Sequence, residues 1–270
     1  MDETELKRKI CDSFNAVAEG YDNPALRFFQ KSAQLLPGYL SLKGDESVLD
    51  VATGTGHAAM ALAGALPRGR VTGIDFSQGM LERARAKIAG ESISNIYLIP
   101  MDMQYIDLPN ESFDAAVFSF SIFFVEDMER QLRHVMEKVK PGGKILFTSF
   151  QKSSFSPIAE MFFDRVKKYG VETPQSWQKL ATAEECETLM AKAGLGSINV
   201  GANNVGYHLT GAGQWWDLVW NAGFRRFVNA IPPERLGNFR REHMEEVESL
   251  KSAEGIWLAV NALYAVGRKI

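Results

Sequence analysis

Asp50-Val51-Ala52-Thr53-Gly54-Thr55-Gly56 is the stretch whose residue types and spacing point most directly to chemistry. It joins an apolar run to a helical pattern. Its glycines let the backbone approach a ligand closely, and the helix start that follows offers unpaired N–H donors. Asp75 ends the next apolar run, twenty-one residues after Gly54, where a carboxylate can accept hydrogen bonds from both hydroxyls of a ribose. A ligand carrying a nucleoside is predicted. Gly54-x-Gly56-x-x-Ala59 also satisfies the dinucleotide fingerprint, so the turn alone leaves a nicotinamide cofactor open.

Proton acceptors are few. The four histidines are His57, His134, His208 and His243, and none stands in a Ser/His/Asp or metal-ligand pattern. His57 begins the helix after the glycine turn, where shape is expected to matter more than proton transfer. His134 and His243 fall in charged helices and are expected on solvated faces. His208, beside Tyr207 and past the sixth strand, is expected to point toward the substrate side and is a candidate catalytic group. Cys186 shares an apolar stripe with Leu189, Met190 and Ala193, which predicts burial; neither it nor Cys11 is given a catalytic role.

The elements that must position these residues alternate regularly. Short strands apolar on both faces are expected at Ser47–Ala52, Arg70–Asp75, Asn95–Pro100, Phe113–Ser119 and Lys144–Phe150, with amphipathic helices between them. Such alternation predicts right-handed crossovers and a parallel sheet covered on both sides. Upstream, one helix carries Leu6, Ile10, Phe14 and Val17, and a second, opened by Asn23-Pro24, carries Leu26, Phe29 and Leu36. Downstream, Ser153 to Trp177 reads as aromatic and loop-like, and Thr182-x-x-Glu185 is a capping box for a helix ending at Gly194. A strand near Ser197–Ala202, a helix from Gln214 to Ile231, another from Pro232-Pro233 and a last strand at Leu258–Val266 complete the reading. Residues 1–46 are thus N-terminal helices over a cofactor cleft. Residues 47–204 and 256–270 form the core, with 151–181 as a lid-like insertion, and 205–255 form a helical cap insertion.

Composition narrows the function. Of 270 residues, 46% are hydrophobic and 23% charged, as in ordinary globular chains, and a net charge of −3 gives no basic field for a phosphate backbone, so nucleic acid is not expected as a partner. The apolar windows fall short of the ~20 residues that span a bilayer. Two cysteines and a charged start from Met1 to Lys9 predict a cytoplasmic setting. The aromatic runs around Phe120, Phe162 and Trp216 are expected to be partly core and partly the wall of an apolar acceptor chamber.

Three features turn the reading away from a nicotinamide cofactor: Asp50 inside the first strand, Asp102-Met103 past the third, and Lys140-Pro141-Gly142-Gly143 before the fifth. With Gly73-Ile74-Asp75-Phe76-Ser77, Met80-Leu81, Leu108-Pro109 and Ser112-Phe113-Asp114, they make the stretch from Val48 to Phe150 resemble a class I S-adenosylmethionine-dependent methyltransferase. The resemblance is strongest to the type-11 group that includes the ubiquinone and menaquinone biosynthesis enzymes, and Phe14-Asn15 through Tyr21-Asp22 extends it upstream. Ala52 stands where that pattern often has glycine and still permits the turn.

The resemblance implies an α/β Rossmann-like sheet of seven strands, the last inserted antiparallel, with helices on both faces and a helical cap. It implies S-adenosyl-L-methionine as cofactor. Gly54 and Gly56 would border its methionine half, Asp75 bind the ribose, Phe76 and Met80 flank the adenine, and Asp102 take the adenine amino group with Met103 beside it. Asp50, Ala52, Thr53 and Ser119 complete the implied set, and Tyr21 would close over the cofactor or serve as a second catalytic candidate. The expected reaction is in-line methyl transfer to a small apolar or aromatic acceptor, without a metal. Residues 205–255 read equally as a lid or as a homodimer surface. Two rivals remain at this point: a nicotinamide-dependent oxidoreductase, which lacks an evident Tyr-x-x-x-Lys pair, and a non-catalytic cofactor-binding protein with the same sheet.

Overall fold

A computed structural model describes residues 3–173 and 179–270. The chain begins with helices α1 (Glu3–Val17), α2 (Phe28–Ala33) and α3 (Leu36–Leu40). The sheet region then runs β1 (Ser47–Val51), α4 (His57–Gly64), β2 (Arg70–Asp75), α5 (Gln78–Gly90), β3 (Ile96–Pro100), β4 (Phe113–Phe118), α6 (Met128–Lys138) and β5 (Val139–Phe150). After α7 (Ile158–Lys168) and α8 (Ala183–Ala193) come β6 (Leu195–Asn204) and β7 (Tyr207–Leu209). Helices α9 (Ala212–Asn221), α10 (Arg225–Val228) and α11 (Pro233–Glu248) precede β8 (Ile256–Leu258) and β9 (Asn261–Lys269).

Seven strands make one sheet in the order β3-β2-β1-β4-β5-β9-β6. The first five pair in parallel, and β9 lies antiparallel between β5 and β6, as the sequence led us to expect. Alternation along each strand feeds two cores. Val48, Val117, Leu146 and Tyr264 face α2–α4, α7 and α9–α11, whereas Leu49, Ala116, Ile145 and Phe147 face α6 and α8. The strand order reverses between β1 and β4, so the crevice beyond their carboxyl ends is the natural place for a ligand.

Four expectations about elements need correction. The segment read as loop-like holds α7, whose Ile158, Phe162 and Val166 recur at helical spacing and are buried; Trp177 lies outside the described residues. The helix from Gln214 to Ile231 breaks at Ala222-Gly223, where Ala222 turns extended. The helix expected from Asn23-Pro24 is a 3-10 turn followed by two short helices, with Pro37 in the first turn of α3. The expected last strand divides: β8 pairs with β7 in a separate two-stranded sheet, and only β9 joins the main one. Among the described residues no helix is long and apolar enough to cross a membrane.

Candidate active site

At the end of β1 the chain turns through Ala52 (φ 58°), Gly54 (φ 55°) and Gly56 (φ 88°), all left-handed. A Cβ on Gly54 would meet nothing within 4 Å, so its bare backbone faces open space. A Cβ on Gly56 would press on that of Ala84 at 3.2 Å, and the glycine there lets α4 start close against α5. Asp75, at the tip of β2, accepts the Gly54 N–H at 2.8 Å on one oxygen and the Ser77 N–H at 2.8 Å on the other. Burial nevertheless raises its pKa above the usual carboxylate range. Beneath the turn, Asp50 is fully buried and accepts the Thr53 hydroxyl at 2.6 Å on Oδ2, while Oδ1 has no partner. Burial, with Asp75 nearby, pushes Asp50 up to about 7.

These residues border a cleft of about 700 Å³ that is continuous with solvent. Of the residues singled out in the sequence, Tyr21, Ala52, Thr53, Gly54, Asp75, Phe76, Met80, Met103 and Ser119 line it together. Asp50 and Gly56 lie behind this wall. Asp102 is also off the lining, and its carboxylate is engaged by the Lys7 ammonium at 3.0 Å and by the Gln104 N–H at 2.9 Å. His208 is elsewhere: its Nε2 faces Glu254 at 3.4 Å, and its ring packs on Trp257, so the expectation that it points to the substrate side is not met. The β7–β8 hairpin that carries it turns it away from the crevice.

Among the remaining histidines, His243 departs from expectation. His134 Nε2 accepts the Ile106 N–H at 3.1 Å. His243 is fully buried rather than solvated; Trp215 donates to its Nε2 at 2.8 Å, and burial pushes its pKa down to about 4. His57 does line the cleft, and its Nε2 lies 3.0 Å from Asp22 Oδ1. Asp22 also takes the Thr55 hydroxyl at 2.7 Å and the Lys87 ammonium at 2.7 Å, and these donors hold its carboxyl well below the usual range despite partial burial.

One wall of the cleft is aromatic. Tyr21 stacks on Phe29 (5.2 Å, 16°), Phe14 meets both Tyr21 and Phe124 edge to face, and Phe120 packs against Phe29 and Phe150. Burial and the charges of Asp75 and Asp22 raise the Tyr21 phenol, which therefore stays protonated. The aromatic run around Trp216, expected to be partly core and partly chamber wall, is core: Trp216 packs on Phe239, and Phe224 on Phe162 and Phe163, while this aromatic wall comes from α1, the segment after it and the loop after β4.

A glycine turn facing open space, a carboxylate held at the tip of the next strand and a seven-stranded sheet with one antiparallel insertion form the architecture that the sequence resemblance implies. The family model described as a methyltransferase domain matches residues 48–143. The chain is 30% identical over 210 residues to the ubiquinone/menaquinone biosynthesis C-methyltransferase UbiE of Geobacter sulfurreducens, covering 71% of this chain and 82% of that one. It is 27% identical over 197 residues to aklanonic acid methyltransferase DauC of Streptomyces sp. strain C5, covering 72% and 90% respectively. In fold it resembles the YcgJ protein of Bacillus subtilis, with a TM-score of 0.59 at 17% identity over 88% of this chain and 98% of that one.

The chain belongs to the class I S-adenosylmethionine-dependent methyltransferases. It is an enzyme that uses S-adenosylmethionine to methylate a small molecule, and the oxidoreductase and non-catalytic readings find no support. The residues present fit the cofactor: Gly54 leaves space above the turn, Asp50 Oδ1 is an unpaired buried acceptor beneath it, and Phe76, Met80 and Met103 offer apolar faces.

Proposed function

We propose that the methyl acceptor is an apolar, planar aromatic compound. The observation that carries this is the aromatic enclosure beside the glycine turn, where the Tyr21–Phe29 stack meets Phe120 through Phe29 and the Phe14–Phe124 pair through Tyr21. Flat apolar walls favour a flat ligand and exclude water from the reacting atoms. The cofactor supplies a methyl group already activated on a sulfonium. The protein's part is to hold a nucleophile in line, at about 3–3.5 Å from that carbon. The Geobacter relative is named as a ubiquinone/menaquinone biosynthesis C-methyltransferase, and that association with planar ring compounds supports the reading.

In this reading Thr53, Gly54 and Gly56 border the methionine half of the cofactor, with Asp50 beneath and Ala52 turning the chain. Asp75 holds the ribose through lone pairs its two backbone donors leave free. Phe76 and Met80 flank the adenine beside Met103. Asp102 takes the adenine amino group in competition with Lys7, Ser119 closes the floor at the end of β4, and Tyr21 roofs the cleft as a hydrogen-bond donor. The net charge of −3 supports a small acceptor over a polyanion, and the free Cys11 and Cys186 support a reducing, cytoplasmic setting.

Calorimetry with S-adenosylhomocysteine and NADH, followed by methyl-release assays, tests this. The acceptor panel should pair naphthols and hydroquinones with polar amines of similar size. Turnover is expected with the aromatic set, and turnover confined to the polar amines overturns the aromatic assignment.

A further inference from the structure

We propose that His57, oriented by Asp22, takes the proton that the acceptor loses on methylation, which points to an acceptor with an acidic O–H such as a phenol or hydroquinone. The inference rests on the aromatic-acceptor reading above. It begins with elimination among the side chains that line the cleft. The Tyr21 phenol is held protonated, and a neutral phenol oxygen is too weak a base to take the proton. Asp75 takes one backbone N–H on each oxygen and, in the reading above, gives its remaining lone pairs to the ribose, so it is committed to the cofactor. The Thr55 hydroxyl donates to Asp22, and that of Ser121 donates to the Val51 carbonyl at 3.0 Å. His57 is the lining side chain left with a nitrogen able to accept a proton.

Its tautomer follows from its partner. Asp22 is ionised, because Thr55, Lys87 and His57 all donate to Oδ1 and Arg83 stands 3.9 Å from Oδ2. An ionised carboxylate only accepts, so Nε2 of the His57 ring carries a hydrogen, and in the neutral ring this leaves the lone pair on Nδ1. Among the described residues Nδ1 has no hydrogen-bond partner, and the side chain keeps 22% of its surface exposed. The carboxylate that fixes the ring also stabilises the imidazolium that proton uptake creates. The step balances: an acceptor oxygen lone pair forms the new bond to the methyl carbon, the carbon–sulfur bond breaks with its electrons remaining on sulfur, and the O–H proton moves to Nδ1 and then to solvent. Asp22 is a positioning residue in this scheme. The charged and titratable groups around His57 are Asp22, Lys87 and Arg83, with Tyr21 and Asp75 also on the cleft wall.

The test uses the full chain saturated with S-adenosylhomocysteine and 4-nitrophenol as a chromogenic phenol. Histidine ¹⁵N NMR of the wild type is expected to show Nε2–H with Nδ1 unprotonated, and Asp22→Asn to mix the tautomers. Bound 4-nitrophenol is expected to ionise at a proton concentration about tenfold higher in the wild type than in His57→Gln or His57→Asn. S-adenosylhomocysteine is kept saturating for each variant, so that the phenol ionisation is compared on fully loaded protein. An Nδ1–H tautomer in the wild type, or equal ionisation with and without His57, overturns the proposal while leaving the aromatic pocket standing. Failure of 4-nitrophenol to bind the loaded protein removes the aromatic pocket itself, and the proposal with it.

Discussion

Lys7 of the first helix places its ammonium 3.0 Å from the Asp102 carboxylate and 4.4 Å from the centre of the Tyr105 ring. Neighbouring bonds reinforce the tie: Asn15 Oδ1 accepts from the Ser77 hydroxyl and the Gly79 N–H, and the Cys11 thiol lies near the Phe76 carbonyl. The helix therefore lies along the side of the cleft where β2 and β3 end, and ligand access there is coupled to these contacts. Because the pair is partly exposed, the Lys7–Asp102 attraction contributes only about 0–1 kcal/mol and is weakened by salt. Lys7→Met should speed S-adenosylhomocysteine dissociation or association by up to about fivefold. Stopped-flow rates at low and high salt check this, since the wild type at high salt should approach the variant.

Gly54→Val should abolish cofactor binding by two routes. A residue at φ 55° with a branched side chain is strained, and that side chain would occupy the open space above the turn. Asp75→Ala removes a charge-assisted acceptor worth roughly 1.5–3 kcal/mol per bond, about 10- to 150-fold in affinity. It also frees the Gly54 and Ser77 N–H groups, so calorimetry should be paired with a melting curve. Folded variants with wild-type affinity would remove this turn from the cofactor site.

Asp50 carries a buried charge that the fold disfavours. Its folded pKa, about 7, lies above the unfolded value, so the cost of ionisation is present above pH 7 and is relieved as pH falls toward 4. Asp50→Asn keeps an acceptor for the Thr53 hydroxyl and removes the charge. The variant should match or exceed the wild type in stability at pH 8 and lose that advantage by roughly 2–4 kcal/mol near pH 5. Urea unfolding at the two pH values measures the difference.

The sheet was legible because βα alternation and doubly apolar strands are local patterns, and the glycine turn was legible because Gly54 and Asp75 keep their spacing in sequence. Helix α7 was hidden although Ile158, Phe162 and Val166 recur every four residues, since the serines and Pro157 before it and the density of aromatics suggested a loop. The contacts at the site's rim were not legible at all. Lys7 meets Asp102 across 95 positions, and Asp22 meets Thr55 and Lys87 across 33 and 65. No periodicity records a partner that only the folded sheet brings near. His243 failed for the same reason: its charged neighbours suggested solvent, but its face of α11 meets Trp215, 28 residues away, and Phe162 of α7.

That buried histidine gives a pH dependence opposite in sign to that of Asp50. His243 accepts the Trp215 indole N–H through Nε2, which requires a neutral ring, and burial pushes its pKa down to about 4. In the unfolded chain the same residue titrates near 6.5. As pH falls below 6.5 the unfolded state takes up the proton first, so the stability His243 contributes is complete above 6.5 and is lost progressively toward 4. The loss should reach roughly 2–3 kcal/mol relative to a variant with no ionisable group there. His243→Gln keeps an acceptor for Trp215, at the cost of some stacking on Phe239. The stability gap between wild type and this variant should shrink between pH 6.5 and 4, while the corresponding gap for Asp50→Asn moves in favour of the wild type. Urea unfolding of both variants across that window separates the two groups. A constant gap for His243→Gln would show that the imidazole protonates in place, and the hydrogen bond from Trp215 would then have to break in the acid form.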